Sequence, residues 1–192
     1  EQPPEREKKA TSPSANPPAK LSGISLSLAA RTRSFYAVVG ALMLGSFAHA
    51  GVMPQLVPHF KDLGVPATWA AATVTVMAVT GLVSKPTFGY LSEGITARRA
   101  MMLSLSGQCV GAVLLVASPT LAWLGLIIFG VSMGAHSALM PLLVQESFGL
   151  RHFGSIMGVV TMFTMFPFGL APLIAGLTFD LTDSYTTAFL GF

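Results

Sequence analysis

The chain has 192 residues, of which 52% are hydrophobic and only 10% charged, with a mean hydropathy of +0.66. A water-soluble globular domain carries about a quarter of its residues as charges, so that class is excluded. The net charge of +3 is carried entirely before residue 35, by six basic residues (Arg6, Lys8, Lys9, Lys20, Arg31, Arg33) against three acidic ones (Glu1, Glu5, Glu7); the five of each sign that follow cancel.

Residues 1–34 are rich in Pro, Ser, Ala and Lys and show no apolar period. Such a segment buries too little surface to offset its ordering entropy, and it reads as a disordered linker. Its charge excess lacks aromatic residues and lies outside the apolar runs, so no nucleic-acid surface is expected. The first residue is Glu1 and not Met, so the chain is expected to be the later part of a longer one.

Charge-free runs follow at 34–60, 63–84, 100–145 and 152–179. About 20 apolar residues at about 1.5 Å rise cross a hydrocarbon core of about 30 Å. The third run is long enough for two crossings and breaks at Ser118-Pro119-Thr120. The expected fold is therefore all-α, a polytopic transmembrane bundle with helices at 35–58, 69–91, 100–117, 121–145 and 152–178. A sixth helix begins near Thr186 and stops at Phe192. Ser46 to Ala50 also spells an Ala-x-Ala cleavage pattern, but the apolar run continues through Val57, which disfavours a signal peptide. Nine basic residues fall in the tail and the loops at 93–99 and 145–152, against Lys61 alone in the alternate loops. By the positive-inside rule residues 1–34 are cytoplasmic, on a plasma or inner membrane.

Ala48-His49-Ala50-Gly51-Val52-Met53-Pro54-Gln55-Leu56-Val57 aligns without gaps to Ala135-His136-Ser137-Ala138-Leu139-Met140-Pro141-Leu142-Leu143-Val144, with six of ten positions identical. The first and fourth helices cross in opposite directions, as an inverted three-plus-three repeat requires. A histidine at mid-membrane depth faces a cavity or a partner. His49 and His136 are thus candidates for substrate hydrogen bonding or proton handling, or else neutral rings bonded to a neighbouring helix. Lys85, in Ser84-Lys85-Pro86, stands about two turns inside the second helix. It either snorkels to the interface or supplies the fixed positive charge for an anionic substrate.

Gly89-Tyr90-Leu91-Ser92-Glu93 with Arg98-Arg99 forms a tight loop with one acid and two bases. Such a cluster either bridges helix ends in one conformation and releases them in another, or is simply solvated. Gly130-Val131-Ser132-Met133-Gly134 spells the Gly-x-Ser-x-Gly of a serine hydrolase, with His136 and His49 nearby. That motif takes its meaning from a strand-to-helix turn, whereas here it falls mid-helix. Small-residue helix packing explains it more simply, as at Gly107/Gly111 and Gly154/Gly158. The single cysteine, Cys109, permits no internal disulfide and no CxxC site, and His59, His152, Asp180 and Asp183 form no metal-ligand set. No cofactor is expected.

The Gly89-x-Leu91-Ser92-Glu93 and Arg98-Arg99 pattern resembles the loop signature of the major facilitator superfamily, with Glu93 for Asp and the basic pair one residue late. Phe148-Gly149-Leu150-Arg151-His152-Phe153-Gly154-Ser155-Ile156-Met157-Gly158, Ala171-Pro172-Leu173-Ile174-Ala175-Gly176-Leu177-Thr178-Phe179-Asp180 and Ser184-Tyr185 with Ala188-Phe189 are similar to the tenth to twelfth helices of its monocarboxylate and oxalate/formate carrier group. Val83-Ser84-Lys85-Pro86-Thr87-Phe88-Gly89 resembles that group's eighth helix, where an Arg faces the substrate carboxylate. Lys85 keeps the charge without the fork geometry, and Gly81 stands where mammalian members place an Asp used in proton coupling.

The resemblance implies the second half of a twelve-helix fold, with the tail as the loop joining the halves. It implies a non-enzymatic secondary carrier of a small organic anion, with a proton as candidate co-substrate. Lys85, His49 and His136 would bind substrate, and Gly89, Glu93, Arg98 and Arg99 would form a gating loop. The partners would be the bilayer and an N-terminal six-helix half. A non-transporting sensor or scaffold with the same fold, and more remotely an intramembrane serine hydrolase, are the competing readings.

Overall fold

Helix starts in this chain are set by hydroxyl side chains that take up the backbone donors a first turn leaves open. The computed structural model describes residues 22–182. Thr32 accepts from the Phe35 amide at 3.3 Å and donates to the Ala29 carbonyl at 2.7 Å. It thereby closes the short helix α1 (Leu26–Ala29) and opens α2 (Arg33–Asp62). α3 (Ala67–Gly94) follows a turn in which Gly64 has φ +80. Thr96 caps α4 (Ala97–Ala117) through the Arg99 amide. Ser118 caps α5 (Pro119–Phe148) through the Leu121 amide, with Pro119 in the first helical position, where a missing N–H costs nothing. α6 (Phe153–Thr182) follows the turn at Gly149, φ +79. Among the described residues there is no strand beyond one isolated bridge.

α2 to α6 each contain a segment long and apolar enough to cross a membrane. The expected helices at 35–58, 69–91, 100–117, 121–145 and 152–178 each overlap one of them. The observed helices run further, because the backbone ladder continues through polar ends such as Lys61-Asp62 and Ser92-Glu93-Gly94. The sixth helix expected from Thr186 lies outside the described residues, as do residues 1–21.

The reading of 1–34 as a disordered linker does not hold for its described end. The Ser22 carbonyl accepts from the Leu150 and Arg151 amides at 3.0 and 3.4 Å, and the Ile24 amide donates to the Phe148 carbonyl at 3.1 Å. Ala29 is fully buried. Composition alone missed this because the docking is carried by backbone groups, and it needs the positive φ of Gly149, where a Cβ would strike Ser22 and Gly23.

The bundle has two apolar clusters, one at each end. Phe35, Val38 and Leu42 of α2 pack with the start of α4, the end of α5 and the start of α6, whereas Val52, Leu56 and Phe60 pack with the starts of α3 and α5 and the end of α4. α2 and α5 therefore run in opposite directions. α3 packs on α5 and α6 packs on α2, the exchange of neighbours that an inverted repeat produces. Large apolar residues such as Leu82, Val83, Met162 and Phe166 are exposed on α3 and α6, as helices in a bilayer allow.

Glycines set the closest approaches. A Cβ at Gly111 would lie 2.8 Å from the Phe129 amide nitrogen, one at Gly125 would lie 2.7 Å from the Gly111 carbonyl, and one at Gly134 would strike the Gly81 backbone and the Ser84 hydroxyl. Nothing lies within 4 Å of such an atom at Gly154 or Gly158, so packing through that pair is not seen among the described residues. Gly111→Ala and Gly134→Ala are each expected to lower stability by about 1–3 kcal/mol through overpacking. Gly154→Ala should leave stability unchanged or raise it, since Ala is the better helix former by about 1 kcal/mol. Thermal unfolding of the detergent-solubilised protein measures both.

Candidate functional site

Between the two apolar clusters lies a polar layer. α2 and α5 cross there with a glycine against a histidine: a Cβ at Gly45 would sit 2.5 Å from Cε1 and 2.6 Å from Nδ1 of His136. Only glycine leaves room for that ring. One turn on, His49 packs against Phe168 from α6 in a tilted ring pair, with centroids 5.5 Å apart at 59°. Gln108 enters from α4. His49, Gln108 and His136 line one cavity of about 210 Å³, completed by residues such as Met133, Thr164 and Phe168.

Gln108 is 2% exposed and His136 7%. Five buried polar atoms in this layer have no hydrogen-bond partner: Nδ1 of His49, both amide atoms of Gln108 and both ring nitrogens of His136. The Leu42 carbonyl approaches the His136 ring without hydrogen-bond geometry. A buried polar group left unpaired costs about 1–3 kcal/mol, and these five belong to three residues that line one cavity. The hydroxyls of Ser137 and Thr164 are already committed to carbonyls of their own helices, at 2.9 Å each.

The structure brings His49 and His136 together and leaves Lys85 apart. Lys85 is exposed on α3 and does not line the cavity; its neighbour Ser84 is buried and turns the other face of the helix toward Gly134 of α5. Glu93, Arg98 and Arg99 are exposed at the turn between α3 and α4, and Gly89 is half-buried. Arg98 shares an open groove of about 390 Å³ with Arg33. Ser132 does not line the cavity. Its carbonyl accepts from the Ser104 hydroxyl at 2.7 Å, and Gly107 packs against its side chain, so the Gly-x-Ser-x-Gly spacing serves helix packing.

The sequence pattern of the Major Facilitator Superfamily matches residues 1–191. The chain belongs to that superfamily. Among curated relatives of this superfamily member are monocarboxylate transporter 12-B of Danio rerio, 26% identical over 163 residues, and monocarboxylate transporter 12 of Homo sapiens, 27% identical over 171 residues. These alignments cover 81% of this chain and 34% and 31% of those relatives. Monocarboxylate transporter 4 of Mus musculus is 28% identical over 184 residues, covering 91% of this chain and 38% of the relative. The chain thus spans about a third of the length of the curated relatives it matches.

Three polar residues that organise this superfamily bundle escaped the sequence reading. Gln108 is the least exposed of His49, Gln108 and His136, and in the sequence it is a carboxamide well inside a charge-free run, with no local pattern to set it apart. The His59 Nε2 lies 2.9 Å from the Leu115 carbonyl, tying the end of α2 to that of α4. Glu146 is the sole acid in 145–152, and its carboxylate accepts from the Ala97 amide at 2.6 Å. Glu146 thereby ties helix ends together, because a carboxylate at the end of α5 faces the open donors of the first turn of α4. Glu146→Ala should lower stability by on the order of 1 kcal/mol, typical of a lost cap. Glu146→Gln, which keeps an acceptor, should retain about half of that contribution; chemical denaturation in detergent compares them.

Proposed function

We propose that the chain is the membrane part of a secondary carrier for a small organic anion, working by alternating access, with Lys85 as the fixed positive charge and His49 and His136 lining the path. The observation that carries this reading is the pair of unpartnered histidines contributed by α2 and α5, two helices of one inverted repeat, to a single cavity. Inverted repeats place binding groups near the bilayer midplane, where one bundle rocks against another. No covalent chemistry is required, since a ligand only has to bind two states differently. Similarity to monocarboxylate transporters supports the anion, and Lys85 is the basic residue inside a span that could meet it.

The alternation of basic loops supports placing the α1 side of the bundle in the cytoplasm. The partner for this bundle is a six-helix half carrying the other wall of the path, and Lys85 faces that half in this reading. Glu93, Arg98 and Arg99 would gate by contacts that reach beyond the described residues. A proton is the proposed co-substrate, carried by the histidines in place of the acid absent at Gly81.

Uptake of labelled short-chain carboxylates by the full-length protein in proteoliposomes tests the proposal. Lys85→Ala should reduce uptake at least tenfold, equivalent to about 1.4 kcal/mol, and Lys85→Arg should retain a measurable fraction of it. His49→Ala and His136→Ala should each weaken substrate affinity. Undiminished uptake in Lys85→Ala removes the lysine from the site, and absence of any flux in the wild type favours a sensor or scaffold.

A further inference from the structure

α2 and α4 start at the same end of the bundle and leave between them an open groove of about 390 Å³. Arg33, the first residue of α2, and Arg98, the second of α4, line its outer end; further in, the walls are Ala37 and Ala41 on one side and Met102 and Leu105 on the other. At about 1.5 Å per residue these apolar walls run about 10–12 Å inward from the arginines. The groove closes where the two helices meet, since a Cβ at Gly45 would lie 2.9 Å from Cδ2 of Leu105.

No acid lines the groove. Neither helix carries an acidic residue in its first turn, so the positive ends of two helix dipoles add to the two guanidiniums. Glu146 gives its carboxylate to the Ala97 amide and Glu93 is exposed at the preceding turn; neither reaches the groove. The groove is thus cationic at the ends of two membrane helices and apolar beneath, the complement of a lipid with an anionic headgroup. A free phosphate would match the arginines and leave the apolar walls uncovered. A zwitterionic lipid would match the walls and bring its own cation against the guanidiniums.

We propose that the groove between the starts of α2 and α4 binds one anionic phospholipid, with its phosphate held by Arg33 and Arg98 and one acyl chain laid along Ala37, Ala41 and Leu105. Guanidinium forks suit this role, because each can donate two parallel hydrogen bonds to phosphate oxygens. The site is separate from Lys85 and from the His49 cavity, and it stands whether or not the chain transports. In the carrier reading Arg98 belongs to the gating loop, whose contacts reach beyond the described residues, and a lipid phosphate is one such contact.

Native mass spectrometry of the full-length protein in detergent, titrated with dioleoyl phosphatidylglycerol or dioleoyl phosphatidylcholine, tests the proposal. One phosphatidylglycerol should bind about tenfold or more tightly than phosphatidylcholine, since each arginine near an anionic headgroup contributes about fivefold. Arg33→Gln and Arg98→Gln should each cost about fivefold in phosphatidylglycerol affinity, and the double variant should bind the two lipids alike, while Arg99→Gln, outside the groove, stays within about twofold. Ala41→Phe, which fills the groove and keeps both arginines, should also weaken phosphatidylglycerol; the arginine variants decide the matter if it fails to fold. Glycerophosphoglycerol, the headgroup without chains, should not bind at concentrations that saturate the lipid. Equal affinity for the two lipids in the wild type overturns the proposal, because the groove is then covered by another part of the protein or reads no charge. Unchanged affinity in the double arginine variant overturns it by placing the lipid elsewhere, and binding of the bare headgroup as tight as the lipid overturns it in favour of a site for free phosphate esters.

Discussion

Helix α5 is the post on which the bundle is hung, and what fixes its neighbours is backbone approach. In a bilayer apolar side chains gain little by meeting one another instead of lipid, so close van der Waals contact and interhelical hydrogen bonds must hold helices together. α4 reaches α5 at Gly111 and Gly125, with the Ser104 hydroxyl bonded to the Ser132 carbonyl. α3 reaches the opposite side at Gly81 and Gly134. With both flanks held at backbone distance, the remaining face of α5 is free to meet α2, and His136 lies on it.

The polar layer follows from that arrangement. An imidazole at the α2 and α5 crossing would force the helices apart were it not for Gly45, so the glycine and the histidine form one unit. The apolar clusters on either side hold the layer at a fixed depth and keep its polar atoms from reaching solvent at the ends. Gln108 makes the layer three-sided, since it comes from the helix that α5 binds most closely. The outcome is a polar layer held between apolar clusters with five buried polar atoms left without partners, where a buried core ordinarily satisfies such groups.

Much of the fold was legible in the sequence because crossing a bilayer imposes length and composition directly, so the charge-free runs announce their helices. The His-containing repeat was legible as well, because the same pair of residues, His and Pro, recurs at matching places in two helices. The placement of Lys85 was not: whether a residue points at a cavity or away from it depends on helix rotation, which in α3 is set by small residues at 81 and 84 and not by a strong apolar stripe. Gln108 and Glu146 were invisible for a related reason. Each acts on a group far away in the chain, an amide at Ala97 for one and a cavity for the other, and no local pattern records that. The docking of Ser22 to Ile24 was hidden because backbone groups carry it, and every sequence has those.

That docking has a mechanical consequence. Two strands of chain meet at Gly23 and Gly149 through three backbone hydrogen bonds, so the anchorage of the preceding segment is the turn between α5 and α6 and not the first residue of α2. The stretch from Ser25 to Thr32 contributes no slack while the bonds hold, and its release would lengthen the tether by those eight residues, about 25 Å if extended. Tension arriving from the N-terminal side is delivered to the end of α5, the post itself, and a tilt of α5 would be felt at Ser22 before it was felt along α2.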